Sequence, residues 1–186
     1  MPVKIDEPQL RDAFDVMRHA GPRGRELAAL LDERGARVRV SPRIVGGFTL
    51  NFINTIFLQP LAVMASEWEY RRWVTILAHE ACHIEQRYWV DSVQQEIIAY
   101  QTQCRVAIEL GIDLVLLREA FAALNPDSPQ DQLTGRARML ALFAEEPAGI
   151  VYAALPLSQP RGLRAFGPGA RELLAVLRAG RRTRRK

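Results

Sequence analysis

The chain has 186 residues, 48% hydrophobic and 25% charged, which suits one globular domain with a real core rather than two. The opening MPVKIDEPQLRD is too polar for a signal peptide, and the longest apolar run, AGIVYAALPL at 148–157, is too short to span a bilayer. We therefore expect a cytoplasmic protein with no membrane span. The net charge of +4 comes from the closing RRTRRK at 181–186, because removing its five positive charges leaves 20 basic against 21 acidic residues. Such a charge block reads as a solvated, disordered tail, so nucleic acid is not an expected partner.

In chain order, PQLRDAFDVMRHA (8–20) has helical spacing, and RGRELAALLDERG (23–35) is an amphipathic helix ending at Gly35. ARVRV (36–40) alternates like a strand. IVGGFTLNFINTIFLQP (44–60) predicts two short strands, the second over Asn54–Gln59, with bends at Gly46-Gly47 and Asn51–Asn54. From Ser66 the chain runs without Gly or Pro to about residue 90, which predicts a long helix. Asp91-Ser92 starts the next helix, with Gln94 and Gln95 placed for a capping arrangement, and Gly111 stops it. Further helices are expected over 113–124, 128–146 and 170–180, with an extended connection over 147–168. Helices, a small sheet and then more helices indicate an α+β protein. The domain reading is a main domain over 1–146, a connection and helix packed on it over 147–180, and the tail at 181–186.

The long helix contains His79-Glu80-Ala81-Cys82-His83, an H-E-x-x-H. Positions i and i+4 share a helix face, so His79 and His83 can reach one ion. Glu80 lies about 100° around the axis, where it can reach a metal-bound water without being a ligand. Zinc lowers the pKa of such a water to near 7, and a neighbouring carboxylate can take its proton.

A third ligand is required. No histidine follows His83, and the extended pattern with a downstream Gly and His fails at Gln86 and Trp89. If the helix ends near Val90 and the next returns antiparallel, His83 lies about 10 Å before the turn and Glu96 about 8 Å after it, nearly level. Glu109 falls roughly 27 Å past the turn, and Glu85 points about 200° away from His83. Glu96 is the expected ligand, with His19 and Asp91 as competitors. Ala99 shares its face and permits close helix approach. Tyr100, at i+4, could orient a ligand or stabilise an oxyanion. Cys82 and Cys104 are read as buried, reduced core thiols. Peptide deformylases pair a Cys with an H-E-x-x-H, but their Cys sits in an upstream glycine-containing motif that is absent here.

The segment HEACH followed by EIIAY resembles the gluzincin branch of the zincin metallopeptidases, with the motif on one helix and a ligand Glu in an E-x-x-A on the next. The resemblance covers roughly residues 24–110. It implies a small, mostly antiparallel sheet on the motif helix and a strand along the cleft that pairs with an extended peptide, here NTIFLQP (54–60), while the helical C-terminal part rests on the sequence pattern alone. Glu85 stands where the family usually has an apolar residue, which implies exposure or pairing with a nearby arginine. The expected function is zinc-dependent hydrolysis of a peptide or protein substrate. Zn²⁺ is expected on His79, His83 and Glu96, with Glu80 as general base and Tyr100 as oxyanion candidate. The alternative is a non-catalytic metal-binding or partner-binding module, and a third reading is nucleic-acid association through RRTRRK.

Overall fold

A computed structural model describes residues 2–88, 91–145 and 147–158. In chain order the elements are β1 (Lys4–Ile5), α1 (Pro8–Ala20), α2 (Pro22–Glu33), β2 (Arg37–Val40), β3 (Gly47–Leu50), a 3₁₀ turn (Asn51–Ile53) and β4 (Thr55–Leu58). There follow α3 (Glu67–Gln86), α4 (Val93–Glu109), α5 (Val115–Phe121), α6 (Pro129–Leu142) and α7 (Pro147–Ala154). Seven helices and one four-stranded mixed sheet among the described residues agree with an α+β class.

The sheet order is β1-β2-β4-β3. β1 pairs parallel with β2, β2 pairs parallel with β4, and only β3 pairs antiparallel with β4. The expectation of a mostly antiparallel sheet is therefore corrected. The two helices that follow β1 carry the chain back before β2 begins, which is the long crossover that parallel pairing requires. β4, expected to line a cleft, is an interior strand with both edges occupied, and β3 is the edge strand instead.

Two compact units are distinguished: Met1–Arg87 with Ala99–Ala122, and Tyr88–Ile98 with Ala123–Lys186, each considered through its described residues. In the first, α1 and α2 contribute Leu10, Phe14, Met17, Leu27 and Leu31 to a core shared with Val38, Ile56 and Leu58 of the sheet and Trp73 and Leu77 of α3. Alternation along the strands explains which side faces in: Val38 is buried while Arg37 and Arg39 are exposed. In the second unit, the backbone N–H groups of Val93 and Gln94 donate to the carbonyls of Pro156 and Leu157, both at 2.9 Å. A returning chain segment thus satisfies N–H groups that the first turn of α4 cannot bond internally. Gly135 of α6 lies against Ile97, whose Cδ1 would be 2.8 Å from an added Cβ.

Several boundaries differ from the sequence expectation. α3 stops at Gln86 because Arg87 turns into the left-handed region at φ 59°. α5 and α6 are shorter than expected at one or both ends. Pro147–Ala154, expected to be extended, is helical, with Pro147 at the helix start where its missing N–H costs nothing. The connection beyond residue 158, the helix expected at 170–180 and the basic tail lie outside the described residues. No helix among the described residues is long and apolar enough to cross a membrane.

Candidate metal centre

α3 is positioned from its first turn. Ser66 accepts from the Glu69 backbone N–H at 3.2 Å, and the Glu69 carboxylate accepts from the Ser66 N–H at 2.7 Å. This capping box satisfies two backbone donors reciprocally. The same bonds, led by the Ser66 N–H, hold the Glu69 carboxyl below its ordinary pKa. Farther along, α3 is buried from Leu77 to Ile84 without interruption. That stretch includes His79 at 6% exposure, Glu80 at 5% and His83 at 3%.

The two imidazoles converge. His79 Nε2 and His83 Nε2 are 3.2 Å apart, with ring centroids at 5.0 Å and planes at 69°. Two nitrogens bound tetrahedrally to zinc at its usual distance are separated by about 3.3 Å. The separation also suits a hydrogen bond between opposite tautomers, so the fit rests on the full donor set. That set is His79, His83 and Glu96, each buried and each offering a ligand atom, all within 4.8 Å of one another. It is the one such group among the described residues.

Within the first unit, α3 is tied to the later part of α4 and the residue that follows it. Arg71 Nη1 donates to the Leu110 carbonyl at 2.5 Å, and Gln103 Nε2 donates to Thr75 Oγ1 at 3.2 Å. One turn farther along α3, the His79 ring meets the Tyr100 ring at 4.6 Å and 62°. The partners rise on α3 as they fall on α4, which is an antiparallel pair. Ala99 is fully buried. Glu96 also lies in the first turn of α4, where the helix dipole favours a carboxylate.

Glu80 is held from another direction. Thr49 Oγ1, on β3, lies 2.6 Å from Glu80 Oε2 and 3.2 Å from the Glu80 carbonyl oxygen. Gly47, two residues earlier on the same strand face, lies against the same carboxylate. Tyr100 is 4% exposed and its ring stacks on Phe121 at 4.5 Å and 11°. His79 therefore has an aromatic wall two rings deep.

Of the competing ligands, His19 stays on α1 with Nδ1 2.8 Å from the Asp15 carbonyl and is outside the donor group, as is Asp91. Glu85 is paired, one of its two expected fates: Arg23 meets it at 2.9 and 2.5 Å. This contact raises the Arg23 pKa still further. Cys82 and Cys104 are free, buried thiols. Burial pushes each up to about 11, so neither is a poised thiolate at neutral pH.

Sequence reasoning missed Gly47, Thr49 and Phe121. The first two carried a signal, since residues two apart on a strand share a face, but Gly46-Gly47 reads as a bend. Only Gly46 turns, at φ 74°, and Gly47 begins the strand. No protein-family model, curated protein or solved structure matches this chain.

Proposed function

We propose that this chain is a zinc-dependent peptide hydrolase, with His79, His83 and Glu96 as metal ligands and Glu80 as general base. The observation that carries this reading is the buried donor set with a non-ligand carboxylate next to it in sequence and held by Thr49. Two imidazoles and one carboxylate also suit ferrous iron. The adjacent Glu80 favours zinc, because hydrolysis needs a base beside the metal and a purely structural site does not. Bound zinc would supply Lewis acidity toward a water and the scissile carbonyl. Glu80 would take the water's proton and hand it to the leaving amine. Tyr100, packed on His79, is kept as the oxyanion candidate.

The substrate strand is reassigned from β4 to β3. The Gln59 N–H donates to the Gly46 carbonyl at 2.8 Å, which makes Gly46 and Gln59 a hydrogen-bonded pair. Antiparallel pairs alternate, so the main-chain groups of Gly47 and Thr49 face away from β4. An extended peptide could pair there by strand addition, directly beside Glu80.

One observation favours the non-catalytic reading: ligands and base are all at most 6% exposed, as in closed structural sites. Glu80→Gln separates the two. Under the hydrolase reading it binds zinc with wild-type stoichiometry and loses about 10²–10⁴-fold in cleavage of fluorescein-labelled casein. Zinc-loaded wild type that cleaves nothing favours the closed site instead. Equal cleavage by wild type and variant removes Glu80 from the mechanism.

A further inference from the structure

We propose that Gly47 and Thr49 of β3 form a seat that positions the Glu80 carboxylate, making Thr49 a positioning residue and Gly47 a requirement for it. The proposal rests on the hydrolase reading. H-E-x-x-H fixes where Glu80 leaves the helix axis but leaves its side-chain torsions open. A general base must be held within hydrogen-bond reach of the proton it removes, and a looser carboxylate lowers the rate without changing binding.

Two independent observations define the seat. Thr49 Oγ1 donates to Glu80 Oε2 at 2.6 Å, in the range of a short, charge-assisted bond. Thr49 is itself 8% exposed, so this hydroxyl is held in a buried site. On the same strand face, a Cβ added to Gly47 would lie 2.5 Å from Glu80 Oε1, 2.6 Å from Cγ and 2.8 Å from Cδ. The carboxylate therefore fills the space that a side chain at position 47 would take. Thr49 holds Oε2, and the absence of a side chain at Gly47 leaves room for Oε1. Neither residue belongs to the donor set, so the seat acts on the base alone. It also couples base and substrate: the strand that holds Glu80 is the strand whose outward main chain is proposed to pair with the peptide.

The test compares zinc-loaded wild type, Thr49→Val, Thr49→Ser and Gly47→Ala for zinc stoichiometry and for kcat and KM on fluorescein-labelled casein. Thr49→Val is expected to keep zinc and KM and to lose about 10–100-fold in kcat, the usual scale for a group that orients a site residue. Thr49→Ser, which keeps the hydroxyl, should recover most of that loss. Gly47→Ala should fall like Thr49→Val although its hydroxyl is intact. A second measurement needs neither metal nor turnover: in the metal-free protein, Thr49→Val should lower Tm by about 3 °C, and by less in a Glu80→Ala background. If wild type cleaves casein and Thr49→Val has the same kcat, or if Thr49→Ser recovers nothing, the seat is overturned and the hydrolase reading stands. Should wild type bind zinc and cleave nothing while the thermal coupling persists, the hydrolase reading fails and the contact is structural only.

Discussion

The two ends of α3 are built on different principles. At the first turn, Trp68 is 48% exposed and order comes from local bonds between Ser66 and Glu69. Toward the other end, His79, Glu80 and His83 are buried in a run that includes Leu77, Ala78, Ala81 and Ile84. A buried carboxylate beside two buried imidazoles is costly unless partners compensate. An apolar helix end would pack at less cost. The contrast says that the first turn is designed for helix formation and the second half for something that needs polar groups out of water.

This contrast can be broken at several points. The largest stability effect belongs to the buried half: Leu77→Ala should cost about 2–5 kcal/mol by urea denaturation, from lost burial and the cavity left behind. The thiol at Cys104 is next. With burial pushing it up to about 11, native protein at pH 8 should alkylate with iodoacetamide about 100-fold more slowly than unfolded chain. The sign follows from the raised value: the neutral thiol's contribution to stability is fully present below about pH 9 and is lost as pH rises from there through about 11. Ser66→Ala is smaller, about 1 kcal/mol, and should leave metal binding unchanged, because the cap touches only the exposed end. Smallest is the pH response of Glu69. Its pKa is lowered, so its contribution is present above the ordinary glutamate value and fades as pH falls through the folded value. A melting curve from pH 6 to 3 for Glu69→Gln against wild type reads this directly.

What the sequence carried follows the same division between local and distant causes. The start of α3 is legible because the run without Gly or Pro begins at Ser66, which is the N-cap. Glu96 is legible as a carboxylate of the following helix and joins the donor group, although the count that selects it ends the motif helix near Val90 and α3 ends at Gln86. The end of α3 is not legible: Arg87 adopts a left-handed turn that Gly or Asn usually takes. Strand order is not legible either. Whether β3 or β4 is the edge depends on pairing between segments far apart in sequence, and both read as similar short apolar runs. That one ambiguity hid Thr49 and Gly47, and it put the expected cleft strand at β4, which is interior to the sheet. β1, two residues long, carries too little pattern to be seen.

The central claim is that the buried polar half of α3 exists to hold a metal with Glu96. The most direct measurement is elemental analysis of purified wild type and Glu96→Ala, with binding titrations on metal-free samples of both. The account predicts one zinc per wild-type chain and an affinity at least about 100-fold weaker in Glu96→Ala. Wild type without stoichiometric metal, or a Glu96→Ala variant that keeps full affinity, would contradict it.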